Sequence, residues 1–224
     1  LAHRRLILDN QEYRRHLEAH IRRRTREVNR VLRHTIEALA HALEAKDEYS
    51  EGHSRRVARL VAALGQHLSL PQDEVEGFQL SALLHDVGNI GLREGILSKP
   101  GKLTPEEYEH MKAHVGIAIR ILEPIQGLKA LVPIIHHHHE RYDGLGYPDG
   151  LAEEEIPLGS RMLALADVYD ALISPRPYRS AFSTPMALAI IEGNAGTQFD
   201  PQLTRDFVAM LRPSLEADLR HILP

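Results

Sequence analysis

The chain contains no cysteine, which excludes disulfides and thiolate metal sites together and is compatible with a reducing cytoplasm. No apolar run approaches the roughly 18 residues that a membrane helix needs, so no membrane insertion is expected. No signal peptide precedes a cleavage site, and Leu1 in place of Met points to a fragment of a longer protein. Strand-like alternation is scarce, and low-complexity sequence is confined to one run of four histidines. What is abundant is histidine, at 15 of 224 residues. Charge is uneven as well. Residues 1–34 hold ten arginines and four acids, leaving 17 basic against 27 acidic residues in the remainder. That acidic remainder is a poor match for a nucleic acid polymer, and no DNA-reading motif is present.

Residues 1–46 read as one long helix. Tyr13, Leu17, Ile21, Val28, Val31, Leu32, Leu39 and Leu43 recur at helical spacing, with no Pro or Gly before Gly52. Two readings fit the stripe: a solvated helix packed on its own domain, or a linker that pairs with its twin in a homodimer. The remainder, 47–224, reads as a succession of helices: His53–Leu68, Asp73–Val87, Thr104 to about Glu123, Leu128–Tyr142, Ser160–Ile173, Pro185–Ile191 and Pro201–Leu211. Thr104 is a marked start, with Pro105 at the first helical position and Glu107 closing a capping box. The expected fold class is all-α.

Projection at 100° per residue puts polar side chains on several apolar faces. His53 heads the line Val57, Leu60, Val61 and Leu64. His114 lies among Met111, Val115, Ala118 and Leu122, and Asp167 continues Leu163 and Ala166. His85 and Asp86 end an apolar helix just before Gly88. In IIHHHHERYDGLGYP (134–148) the stripe Leu128, Leu131, Val132, Ile135 continues onto His138 and His139, roughly 60° and 40° to either side. His137 falls opposite and His136 on the flank, as bystanders. One buried histidine is usually a hydrogen-bonded core residue, but five segments each deliver one or more such groups. Buried carboxylates such as Asp86 and Asp167 need a cation or donors. Five imidazoles and two carboxylates suit first-row metals, and seven ligands fit two ions sharing a bridge better than one. Asp86, next to another ligand, is the natural bridge.

These blocks are similar to those of the HD-GYP family, a subgroup of the HD phosphohydrolases, over about residues 35–210. The resemblance is carried by KDEYSEGHSRRVA (46–58), LLHDVGNIG (83–91), ILSKPGKLTPEE (96–107), HHERYDGLGYPDG (138–150), ALADVYDAL (164–172), RPYR (176–179) and GTQFDP (196–201). It implies an HD-type helical bundle around a dinuclear centre that hydrolyses cyclic di-GMP to pGpG, with GMP as the further product. The implied metal ligands are His53, His85, Asp86, His114, His138, His139 and Asp167, holding two divalent ions, iron or manganese. Asp86 and Asn89 would be catalytic; Arg176, Arg179 and Tyr147 would contact substrate. The loop Asp143–Gly150 would meet GGDEF-domain proteins. Residues 13–28 resemble the linker that follows a receiver domain in two-component response regulators.

Three positions depart from the pattern. Asn89 stands where the HD motif continues to lysine, which removes a positive charge beside the reacting phosphate. That change favours a second reading, a weakened domain that binds nucleotide or metal and signals through the linker. Hydrolysis of a related cyclic dinucleotide is a third. Tyr49 stands where some members carry a glutamate for a third metal, so two ions are expected. Pro175 replaces an acidic residue before RPYR and would stiffen that loop.

Overall fold

The computed structural model describes residues 2–44, 52–93, 95–97, 99, 101–175 and 180–222. Among them the protein is all-helical, with one isolated bridge between Ala195 and Phe199. The chain divides into two units, Leu1–Leu39 and Ala40–Pro224. The first unit belongs to α1 (Ala2–Glu44), a 43-residue helix uninterrupted by Gly or Pro. Its apolar stripe is exposed, with Tyr13, Ile21, Val28 and Val31 each more than half accessible.

The second unit holds α2 (His53–His67), α3 (Gln72–Leu84), α4 (Pro105–Leu122), α5 (Val132–His136), α6 (Leu158–Ile173), α7 (Thr184–Gly193) and α8 (Pro201–Ile222). Helices α2 and α3 form a tight hairpin. Gly65 lets them approach, since a Cβ there would sit 2.9 Å from Val75 Cγ2. Helix α6 is the central element. Met162, Leu163, Leu165 and Ala166 are fully buried, and α6 packs against α2, α3, α5, α7 and α8. Phe207 of α8 closes one side against Tyr169 at a ring separation of 5.5 Å.

Local chemistry sets the helix ends. At α4 the expected capping box is formed: Glu107 N donates to Thr104 Oγ1 at 3.3 Å and Thr104 N to the Glu107 carboxylate at 2.7 Å. Lys99 reaches the same carboxylate at 2.5 Å. The expected continuous helix over 128–142 is not what forms. Gln126–Leu131 is a 3₁₀ segment, α5 begins at Val132, and it stops at His136. Pro133 accounts for the start, because its ring is tolerated only in a first turn. Beyond α5 the chain folds back through Glu140, buried, whose Oε1 accepts from Asp149 N at 2.7 Å and Gly150 N at 2.9 Å. Only glycine fits at 146, since a Cβ would lie 2.3 Å from Arg141 N.

Candidate metal centre

The seven predicted ligands come together at one place, delivered by α2, the α3 end, α4, the turn after α5, and α6. His53 Nε2 lies 3.3 Å from Asp167 Oδ1. The His53 and His85 rings are 5.5 Å apart, and His85 meets His138 at 5.3 Å. His114 is 5.7 Å from His138 and 5.0 Å from His139, while His138 and His139 are 4.0 Å apart. Ligand atoms fall into two groups, His53, His85, Asp86 and His114, His138, His139, each spanning less than 4.8 Å. Asp86 faces both. Its Oδ2 is 3.5 Å from His85 Nε2 and its Oδ1 is 3.9 Å from His114 Nε2.

One device orients three of the rings. His85 Nδ1 donates to Ala82 O at 2.8 Å, His114 Nδ1 to Met111 O at 2.7 Å, and His138 Nδ1 to Ile135 O at 2.6 Å. A carbonyl only accepts, so each Nδ1 carries the proton and each Nε2 presents a lone pair inward. His114 Nε2 and His138 Nε2 are buried without any hydrogen-bond partner. Such orphans cost about 1–3 kcal/mol each unless something electrophilic meets them. The donor set therefore fits divalent cations, and imidazole with carboxylate is suited to first-row metals.

The electrostatics agree. Burial works against a charged His53, yet Asp167 and Asp170 outweigh it and push the ring up to about 10. Burial would raise the Asp86 carboxyl, but His85, His114 and His53 hold it below the ordinary carboxylate range. Burial lowers His139 to about 4, aided by His114, so that ring is neutral and free to ligate at neutral pH. The carboxylates create a demand for positive charge that the His53 ring answers on one side, while burial keeps His138 and His139 neutral on the other. An ion held at His53 would displace its proton.

Other predicted residues are distributed around this centre. Asn89 lies in the 3₁₀ turn Val87–Gly91, its backbone N–H donating to Asp86 O at 2.9 Å. Tyr147 stacks on His139 with ring centroids 4.9 Å apart, and its amide donates to His139 O. Burial, then Tyr108, raises the Tyr147 phenol far above its ordinary value, so its hydroxyl stays protonated as a donor at the rim. Arg176, Arg179 and Tyr49 lie outside the described residues; Pro175 is exposed.

Two buried carboxylates escaped the sequence reading. Asp170 takes His53 Nδ1 at 2.8 Å and Arg56 Nε at 2.6 Å, so it orients a ligand from behind. It lies three residues after Asp167 on the same helix face, a signal available in ALADVYDAL. Glu140, which ties down the loop bearing Tyr147, has no comparable local signature.

The HD domain family profile matches residues 37–203. The chain is 41% identical over 180 residues to the cyclic di-GMP phosphodiesterase response regulator RpfG of Xanthomonas campestris, covering 79% of this chain and 47% of that protein. It is 38% identical over 167 residues to the 3′3′-cGAMP-specific phosphodiesterase 3 of Vibrio cholerae, covering 75% and 36%. A crystal structure of a cyclic GMP-AMP-specific phosphodiesterase from V. cholerae superposes with a TM-score of 0.65 at 20% identity, covering 80% of this chain and 48% of that one. At that identity the likeness shows the fold alone. The chain spans less than half the length of the curated relatives it matches here.

Proposed function

The chain belongs to the HD domain family, in its HD-GYP branch, and from that premise we propose that it opens cyclic di-GMP to pGpG by metal-dependent hydrolysis. The observation that carries this reading is Asp86, with one carboxylate oxygen toward each of two histidine groups. His53, His85, Asp86, His114, His138, His139 and Asp167 would hold two divalent ions, iron or manganese. Bound there, such ions supply Lewis-acid activation of water and charge neutralisation on the phosphoryl group.

The chain's own residues do the rest. Fixed Nδ1–H bonds hold three lone pairs in place before any ion arrives, and Asp170 holds His53. Tyr147 closes the rim, offering its ring to a guanine and its hydroxyl to a phosphate oxygen. Arg176 and Arg179 take the second phosphate bidentately. Asn89 contributes a neutral donor beside the attacked phosphate.

The surroundings support further parts of the reading. Leu145, 78% exposed in the loop 143–150, fits protein contact there, with GGDEF domains as partners. The exposed stripe of α1 fits homodimerisation through residues 1–46 as a linker ahead of the 47–224 domain, in a two-component response regulator. Among the described residues no helix is long and apolar enough to cross a membrane; a cytoplasmic location belongs to the proposal through the response-regulator reading.

The decisive experiment resolves products from cyclic di-GMP and from 3′3′-cGAMP, using anaerobically prepared protein of measured metal content. Linear pGpG from cyclic di-GMP is the expected result. Preferential cleavage of the hybrid dinucleotide would instead assign this chain the specificity of its Vibrio relative. Binding without product over hours would overturn the enzymatic reading in favour of a sensor. Asp86→Ala should lose both ions while keeping its helical circular dichroism; retention of one ion would rule out the bridge.

A further inference from the structure

A third group of ligand atoms lies outside the centre. His136 Nδ1, His137 Nε2 and Asp149 Oδ2 all sit within 4.8 Å of one another. Asp149 Oδ2 is 3.0 Å from His137 Nε2 and 3.7 Å from His136 Nδ1. Tetrahedral zinc, with bonds of about 2.0–2.2 Å, places its ligand atoms about 3.3 Å apart. The observed separations bracket that value.

The hydrogen bonding makes this more than proximity. His137 Nδ1 donates to Pro133 O at 2.8 Å, the same tautomer lock that orients His85, His114 and His138. His137 Nε2 meets the Asp149 carboxylate, so the ring is fixed through both nitrogens with Nε2 turned to the site. At 3.0 Å a proton on Nε2 bridges ring and carboxylate, and a divalent ion would take the place of that proton. Asp149 is also held in place from behind, because its amide and that of Gly150 donate to buried Glu140. His137 is mostly buried, and His136 and Asp149 are open enough for an ion to enter.

We propose that His136, His137 and Asp149 form a separate mononuclear site for a borderline divalent ion of the zinc class, clasping the loop 143–150 onto the end of α5. Two imidazoles and one carboxylate, with a fourth position left for solvent, match that class. The clasp fixes the loop that carries Tyr147 over the main centre. It does not depend on the catalytic reading, since it rests on neither turnover nor the ligands of the main centre.

The test is a titration of the full chain with Zn²⁺, and with Co²⁺ as a spectroscopic stand-in, on four proteins. Wild type should bind one equivalent more than the His136→Ala/His137→Ala double variant, which keeps the ions of the main centre. The reciprocal His138→Ala/His139→Ala variant should lose main-centre metal and retain the outer equivalent. Asp149→Asn, at an exposed position that leaves the fold intact, should bind the outer ion at least about tenfold more weakly. Amide exchange over 143–150 should slow on Zn²⁺ addition in wild type but not in Asp149→Asn. Equal zinc stoichiometry in wild type and the His136/His137 variant would overturn the proposal. Undiminished affinity in Asp149→Asn would overturn it too, showing binding by the histidine run rather than by a built site.

Discussion

Gly88 is the position where one added methyl group should separate the two halves of the centre. It is buried in the 3₁₀ turn directly after His85 and Asp86, and that turn rests on the backbone of α4. A Cβ at 88 would sit 1.8 Å from His114 O, 2.7 Å from His114 C and 2.8 Å from Ala118 N. His114 O and Ala118 N are the two ends of one helical hydrogen bond, so the methyl would wedge into the α4 ladder itself. No rotamer change relieves a clash with backbone. Restoring even the 3.0 Å that real Cβ contacts keep requires a displacement of at least about 1.2 Å. Overpacking of this kind costs about 1–3 kcal/mol, and a weakened helical hydrogen bond adds about 1 kcal/mol.

The same movement pulls Asp86 away from His114, whose ligand atoms are now 3.9 Å apart. A misplacement on the order of 1 Å costs about 100-fold in rate. Gly88→Ala should therefore lower stability by about 2–4 kcal/mol, judged from the urea midpoint at unchanged slope, and lower turnover by about 100-fold or more. Gly127→Ala serves as the control: nothing lies within 4 Å of a Cβ there and its backbone is not left-handed. Should Gly88→Ala match Gly127→Ala within about 0.5 kcal/mol and keep full metal content, the close-approach argument is wrong.

Asp170→Asn removes the anionic partner on His53 Nδ1 and should weaken metal binding about 10–100-fold in a buffered-metal titration; unchanged affinity would remove Asp170 from the ligand-orienting role. Asn89→Lys should raise turnover on the order of tenfold or more with little change in KM, because it restores a positive donor at the developing charge. A fall in turnover would show that Asn89 is suited to a different substrate geometry. The Glu107 carboxyl is held below its unfolded value of 4.5, chiefly by its hydrogen bond with Lys99 and then by Thr104 N. A depressed carboxyl contributes stability above the unfolded value and loses it as pH falls through the folded one. Melting temperature should thus drop more steeply from about pH 5 to pH 3 in wild type than in Glu107→Gln; parallel curves would refute the contribution.

The helices and four ligands were legible because both obey the 3.6-residue period. His53, His114 and Asp167 lie on helix faces whose apolar neighbours announce them, and His85 closes such a face. Thr104, Pro105 and Glu107 form a cap whose every bond is local. His138 and His139 are a different matter. Their projection assumed a helix through Tyr142, whereas α5 ends at His136, so they reach the centre from a turn that periodicity does not describe. Asp170 was missed because its partner lies across the fold, His53 being 117 residues away, and Glu140 because its partners are backbone amides of a non-helical loop. Asp149 meets His137 across 12 residues of non-helical chain, which is why both outer histidines read as bystanders.

One local rule connects these pieces. The last four carbonyls of a helix have no intrahelical partner and must find donors elsewhere. Ala82 is in the last turn of α3, and Pro133 and Ile135 are in α5, whose five residues are all end. The histidines that follow these helices bond such carbonyls through Nδ1: His85 to Ala82, His138 to Ile135, and His137 to Pro133, whose oxygen also takes the His137 backbone amide. Capping a helix C-terminus this way turns Nε2, the atom that would ligate, to the far side of the ring. Helix termination and ligand preparation are thus one event, and the negative end of the helix dipole favours a cation nearby. Whether that cation is held in the main centre or in the outer clasp depends on which groups the ring faces. His85 turns toward Asp86 and His138 toward the His114 and His139 rings of the main centre, whereas His137 turns toward Asp149. Moving a histidine by one residue at the end of α5 therefore changes the metal it serves, not only its exposure.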